Sequence, residues 1–282
     1  MSDSPVAMNQ IAVRGESKPH HVPSDLPFFL GMGVIGAVYL TLIIAMLVAD
    51  AAFTSPGHLL AALDSPEIRY AIRLSLISCT LTTILSLWVA VPIGYLMSRH
   101  QFPGKLLVDA ILDIPIVLPP LVIGLSLLIL FQSSIGQWIE SYVQITYAIP
   151  SVILAQFMVA CAFAVRTMRV TFDQISPRQQ RVALTLGCNS GQAFWLVVLP
   201  EARRGMLTAA TLAWARSLGE FGPILIFSGA TRMKTEVLPT TVFLELSVGN
   251  IEAAVAVSLI MVAAAVVVLV IARVFGLQRP TV

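Results

Sequence analysis

Long apolar runs alternate with short polar stretches along most of the chain. Six of the runs approach the ~20 residues that carry a helix across hydrocarbon. The pattern predicts spans over residues 28–48, 72–97, 107–131, 149–165, 207–227 and 251–275. A short amphipathic stretch, residues 58–70, precedes the second span. Ahead of the first lies a polar segment, residues 1–26, containing Pro5, Pro19 and Pro23. It reads as a flexible tail rather than a secretory signal, because the first apolar run starts only near Pro27 and is long enough to span. The expected division is a tail at 1–26, a transmembrane domain at 27–276 and a short tail at 277–282.

The third run contains Pro115, Pro119 and Pro120 in DIPIVLPPLVIG. Each proline removes a backbone donor and bends or interrupts a helix. Within a bilayer this is tolerated where neighbouring helices or a water-lined cavity satisfy the freed carbonyls. Two readings stand side by side, a broken helix lining a pathway and a packing kink.

Composition agrees with the pattern. Of 282 residues, 57% are hydrophobic and 11% charged, against about a quarter charged in soluble domains, and the mean hydropathy is +0.87. The expected class is an all-α integral membrane protein with six transmembrane helices. The formal net charge of +2 says less than where the charges fall. With the N-terminus inside, twelve Lys and Arg residues lie in cytoplasmic segments: Arg14, Lys18, Arg99, Lys105, Arg166, Arg169, Arg178, Arg181, Arg203, Arg204, Arg273 and Arg279. Four lie outside, Arg69, Arg73, Arg232 and Lys234, and Arg216 falls within a span. Twelve against four puts both termini in the cytoplasm. Cys79, Cys161 and Cys188 are odd in number and far apart, which argues for buried thiols rather than a disulfide framework or a zinc site. His20 and His21 are adjacent in the tail, too small a group to indicate a metal. Trp138, Tyr142 and Tyr147, in a short loop, read as interfacial anchors.

The longest cytoplasmic segment, residues 166–204, has a design of its own. Ser176 can cap a helix that begins with Pro177, and Gln179 can complete a capping box. Gly187 can take the left-handed conformation that ends this helix. Asn189 or Ser190 can cap a second helix bearing Phe194, Trp195, Val197 and Leu199, which Pro200 then breaks. The expected result is a knob of two short helices, able to pack on its own membrane domain or enter a partner's groove.

From Gly187, nine residues lead to Val197, Val198, Leu199 and Pro200. This register resembles the EAA loop of ABC import permeases, whose pattern is EAA, three residues, Gly, nine residues, then an aliphatic residue, any residue and Leu-Pro. The EAA positions here are Arg181, Val182 and Ala183, so only the last alanine matches, and arginine replaces the acid. The similarity extends over residues 65–275. The fifth run carries Ala215, Arg216, Ser217, Leu218, Gly219, Glu220, Phe221 and Gly222, similar to the ARxLGEFG stretch of the molybdate, tungstate and sulfate branch. At its outer end Gly229-Ala230 departs from that branch's Gly-Asn.

The resemblance implies a type I importer permease fold with a cytoplasmic coupling helix. Arg181, Ala183, Gly187, Val197, Leu199 and Pro200 would form the ATPase-coupling positions. The implied function is import of molybdate or tungstate, with sulfate or another small solute as the alternative cargo. Implied partners are a second permease subunit, a copy of this chain in preference to a different one, together with a cytoplasmic ABC ATPase dimer and an extracytoplasmic solute-binding protein. No cofactor and no nucleic acid is implied.

Arg216 and Glu220 are four residues apart and share a helical face. Charges inside a span are costly and are paired or face a cavity, so they read either as a packing pair or as part of the pathway. Gly219 and Gly222 would allow close helix approach. No GxxxxGK[ST] occurs, and residues 229–235, GATRMKT, lack its glycine before Lys234. ATP would therefore be hydrolysed by a separate subunit. A stand-alone secondary transporter is the competing class, but it predicts internal repeats and coupling sites at the midplane that the sequence does not display. A membrane serine protease, suggested by Gly124-Leu125-Ser126-Leu127, would need a histidine at membrane depth, and the four histidines, at 20, 21, 58 and 100, fall in loops or at span edges.

Overall fold

The computed structural model describes residues 25–277. Residues 1–24 and 278–282, nearly all of the two expected tails with Arg14, Lys18, His20, His21 and Arg279, lie outside the described residues. The elements, in chain order, are α1 (Leu26–Phe53), α2 (Pro56–Asp64), α3 (Pro66–Arg99), α4 (Lys105–Val117), α5 (Pro120–Gln132), α6 (Ser134–Glu140), α7 (Ile149–Gln174), α8 (Pro177–Thr185) and α9 (Ser190–Ala193). A π-helical turn (Phe194–Val198) follows, then α10 (Leu199–Glu201), α11 (Arg203–Leu218), α12 (Gly222–Phe227), α13 (Leu238–Ser247) and α14 (Ile251–Leu277). The chain divides into two compact units, residues 1–49 and 50–282. The first holds most of α1, whose large side chains, among them Phe28, Ile35 and Leu42, are exposed along its length.

The second unit is built on α3, α7 and α11. Thr82 lies opposite Gln156 and Gly94 opposite Met168, so α3 and α7 run parallel. Their shared face is lined by small residues at helical spacing: Ser78, Ser86, Ala90 and Gly94 on α3, Ala155 and Ala160 on α7. Small side chains let backbones approach closely, which is how helices gain contact in lipid. At Gly94 an added Cβ would stand 2.8 Å from the Met168 Cβ and 2.9 Å from the Arg169 backbone nitrogen. α11 runs antiparallel to α7, with Gly205 against the Thr171 side chain and Ser217 near Gln156. Gln156, fully buried, joins all three: its Nε2 donates to the Ser217 carbonyl at 3.2 Å, and its Oε1 accepts from Thr82 Oγ1 at 3.2 Å. On the flank of α7, Asp113 pairs with Arg166 and Asp109 with Arg169, holding α4.

The six expected spans are found in part, and of the two readings of the proline-rich third run the break is the one observed. Among the described residues four helices are long and apolar enough to cross a membrane, α1, α3, α7 and α14, and five crossings result if α4 and α5 count as one. The expected span at 107–131 turns through 111° between α4 and α5. Pro119 and Pro120 cause the break, because Pro120 opens α5 at its first turn and Leu118 is held extended at ψ 140° ahead of Pro119. Pro115, by contrast, sits inside α4 without ending it. The expected span at 207–227 is two helices, α11 and α12, interrupted at residues 219–221.

At the end of the bundle where α3 begins, residues 228–237 fold into a compact turn that includes the GATRMKT stretch. Gly229 and Met233 both have left-handed backbones, φ +72° and +59°. Arg232 holds this turn to α13 through Glu245, 2.8 Å away, with Glu236 at 3.8 Å. The hydrogen bond that Arg232 donates to Glu245 raises the Arg232 pKa, and burial raises that of Glu236. Trp138 and Tyr142 stack edge to face at 5.4 Å in the exposed α6 region.

Glycines also set the α5–α12 crossing. A Cβ on Gly124 would lie 2.8 Å from both the Cα and the carbonyl oxygen of Pro223. A Cβ on Gly222 would lie 3.0 Å from the Pro120 Cβ. Gly219 makes no such approach within the chain, since the nearest atoms to an added Cβ are carbonyls of its own helix at 3.9 Å. Because backbone cannot yield as a flexible side chain can, Gly124→Val should destabilise the detergent-solubilised protein by ~1–3 kcal/mol. Gly36→Ala, whose Cβ would meet nothing within 4 Å, should leave the melting temperature unchanged. Thermal unfolding of the two variants beside the parent checks this.

Candidate functional site

The segment 176–200 folds as a projecting pair of short limbs. Ser176 caps α8, its Oγ accepting from the Arg178 backbone N–H at 3.3 Å. The capping box expected at Ser176 and Gln179 is instead formed by the second limb. There Asn189 Oδ1 accepts from the Gln192 N–H at 2.8 Å, and Gln192 Oε1 accepts from the Asn189 N–H at 2.9 Å. Asn189, not Ser190, is therefore the cap.

Between the limbs Gly187 has φ +94°. The Cys188 N–H bonds back to the Ala183 carbonyl and the Gly187 N–H to that of Leu184, each at 3.1 Å. These two bonds form a Schellman termination, which satisfies the last carbonyls of α8 and requires a left-handed residue. Nothing crowds Gly187, so the backbone angle rather than space selects glycine there.

Pro200 does not break the second limb. The chain stays helical through it by widening first: the Leu199 N–H bonds to the Phe194 carbonyl five residues back. The wide π turn relieves the ring's clash with the preceding carbonyls, which an α-turn would impose. It also sets the register: Val198 points inward, fully buried, Val197 and Leu199 are half-buried, and Pro200 is exposed.

Ala183 of the first limb and Ala193 of the second are buried. Leu186, Trp195 and Leu196 remain outside, 80%, 66% and 69% exposed. Arg181 is exposed and has no ion pair among the described residues. Beside the element lies an open cavity of about 780 Å³, lined in part by Thr171, Ser176, Gln179, Glu201, Arg204 and Thr208.

Arg216 and Glu220 are paired, Nη2 to Oε1 at 2.6 Å. The Glu220 side chain is 1% exposed and that of Arg216 30%. The guanidinium also lies over the Phe163 ring, 5.8 Å from its centroid. Gly222 opens α12 just beyond the pair. The pair and the projecting element occupy opposite ends of α11, about 20 Å apart at 1.5 Å rise per residue. The fold therefore separates the two groups of site residues. Gln156, Tyr95, Asp109 and Asp113 were not singled out by sequence; a lone amide in the run 149–165 was the available signal for the first. Among the described residues no group of three or more His, Cys, Asp or Glu is placed to hold a metal ion.

Parallel apolar helices packed through small residues, a sharply broken crossing and a projecting helix–Gly–helix element define a polytopic membrane permease. A sequence model of the family described as binding-protein-dependent transport system inner membrane component matches residues 90–278, and the chain belongs to that family. It is 32% identical over 247 residues to the sulfate transport system permease protein CysW of Synechocystis sp., covering 83% of this chain and 88% of that one. It is 34% identical over 201 residues to the molybdate/tungstate transport system permease protein WtpB of Pyrococcus abyssi, covering 71% and 77%. It is 32% identical over 254 residues to the molybdenum transport system permease protein ModB of Mycobacterium tuberculosis, covering 88% and 94%. A chain in the crystal structure of a bacterial alginate ABC transporter, in complex with alginate pentasaccharide-bound periplasmic protein, has the same fold. The TM-score is 0.71 at 15% identity, covering 90% of this chain and 93% of that chain. The protein is thus a permease subunit of an importer, and the stand-alone secondary transporter is not supported.

If the Arg216–Glu220 pair acts in transport, Glu220→Gln should leave membrane abundance within about twofold of the parent. It should lower uptake about tenfold, equivalent to ~1.4 kcal/mol. Immunoblots of membranes beside uptake in the same cells decide it, since a parallel fall in both makes Glu220 a folding residue.

Proposed function

We propose that the chain is the membrane-spanning permease subunit of an ATP-driven importer that moves molybdate or tungstate. Sulfate is the second reading, favoured by the relatives named as sulfate permeases. Six crossings with both termini in the cytoplasm fit the fold when α4–α5 and α11–α12 each count as one broken crossing. The excess of Lys and Arg then lies on the side of the projecting element. Two copies of the chain would enclose the path, an ABC ATPase dimer would bind the cytoplasmic face, and a solute-binding protein would deliver the anion at the opposite face.

The observation that carries this reading is the element at 176–200. A capped, glycine-terminated helix pair that leaves Leu186, Trp195 and Leu196 in water presents apolar surface suited to a cleft on a partner. Arg181, Ala183, Gly187, Val197, Leu199 and Pro200 build it. ATP-driven closure of the ATPase dimer would move the two elements and rock the membrane helices between inward and outward access. At the other end of α11 the Arg216–Glu220 pair keeps Glu220 from opposing an anionic cargo, or fixes the packing of α11; both roles need the pair.

Reconstitution with the ATPase and binding protein tests the cargo. Molybdate or tungstate should stimulate ATP hydrolysis at lower concentration than sulfate does. Stimulation by sulfate first would reassign the cargo, and uptake that needs no ATP would remove the importer reading. Gly187→Leu tests the element itself. Forcing a side chain to φ +94° costs ~1–3 kcal/mol. Normal membrane abundance with about a tenfold loss of ATPase co-purification or uptake is expected; parent-like values in both would remove the assignment.

A further inference from the structure

Both limbs of the projecting element converge on one residue, Tyr95, in the last turns of α3. From the first limb, Gln180 Nε2 donates to the Tyr95 hydroxyl at 2.6 Å. From the second, the Phe194 ring meets the Tyr95 ring edge to face at 4.7 Å between centroids. Tyr95 also stands edge to face with Phe172 of α7 at 5.6 Å, and Phe172 lies 6.3 Å from Phe194. Three rings from α3, α7 and the π turn thus form a triangle, and Phe172 is fully buried.

At the next residue back, Gly94, α3 and α7 approach closely, with backbone against backbone. A push on Tyr95 therefore acts at a point fixed to both helices. The two contacts differ in kind. Stacked rings slide with little change in energy, whereas a hydrogen bond has a fixed length and direction. The bond from Gln180 can transmit a displacement of α8 that the stacking alone would absorb.

We propose that Tyr95 is a positioning residue that passes movement of the element at 176–200 to the α3–α7 pair, with its hydroxyl as the rigid link. This inference rests on the permease reading above, in which that element receives the ATPase.

Four forms of the full complex in proteoliposomes, loaded with molybdate and its binding protein, test it: parent, Tyr95→Phe, Gln180→Leu and the double variant. Tyr95→Phe keeps the ring triangle and removes only the bond. ATPase co-purification should match the parent in all four, and the melting temperature should stay within about 4 °C of it. Molybdate moved per ATP hydrolysed should fall about fivefold in each single variant, the scale of one hydrogen bond. The double variant should be no worse than either single one, because both changes remove the same link. Parent-like stoichiometry in Tyr95→Phe overturns the inference, as do additive losses in the double variant or a loss that tracks ATPase co-purification. If the parent complex itself fails to couple molybdate uptake to ATP, the permease reading fails and not merely the role of Tyr95.

Discussion

Burying a leucine gains little in hydrocarbon, because the lipid is as apolar as the protein interior. Helices associate there through close contact and polar links instead. The α3–α7 face answers to this constraint. Its buried positions are mostly Ser, Thr, Ala and Gly, and at Gly94 no side chain separates the backbones. Gln156 supplies the polar link, satisfied on both its oxygen and its nitrogen, so a buried amide adds specificity without an unpaired group. α11 is placed by the same amide, and the projecting element is placed by α11 and the ends of α3 and α7. Loosening this face would disturb both groups of site residues, although they lie about 20 Å apart.

Apolar runs gave the existence of the long helices in the sequence, because length and hydropathy decide crossing in a bilayer. The spans expected at 28–48, 72–97, 149–165 and 251–275 became α1, α3, α7 and α14 with ends displaced by a few residues, up to nine at the end of α7. Runs 107–131 and 207–227 both read as spans, the second despite carrying Arg216 and Glu220, yet each is broken. Hydropathy does not register where the backbone turns. Pro119 and Pro120 carried a local signal for the first break. The second falls at residues 219–221, where α12 restarts with Gly222 pressed against Pro120. That contact is tertiary, but Gly219 at the end of α11 and Gly222-Pro223 at the start of α12 were the local signal available for the break.

The projecting element was more legible than the pathway. Gly187, the cap at Asn189 and the inward alanines follow from local rules, because a helix end must satisfy its own backbone groups within a turn. Pro200 shows the limit of such rules. A proline in an α-turn removes a donor and clashes, but a five-residue turn accommodates the ring and keeps the limb helical. The choice between breaking and widening depends on Phe194 and Val198 being held inward by the core, which a local pattern does not encode. The Arg216–Glu220 spacing announced a pair, but the Phe163 ring beneath Arg216 arrives from another helix.

The π turn also bears on how force could cross the molecule. It is the one place in the element where helical hydrogen bonding is looser than α, and it carries the exposed tip, Trp195 and Leu196, just ahead of α10 and α11. A load applied at the tip meets a soft turn on the way to α11. It meets a short bonded route through Gln180 and Tyr95 on the way to α3 and α7. Stiffness therefore favours the α3–α7 pair as the receiver, with α11 following through Gln156 and the Gly205–Thr171 contact. On this argument the small-residue face does more than hold the fold: close backbone contact lets two helices move as one body when a lever acts on their ends.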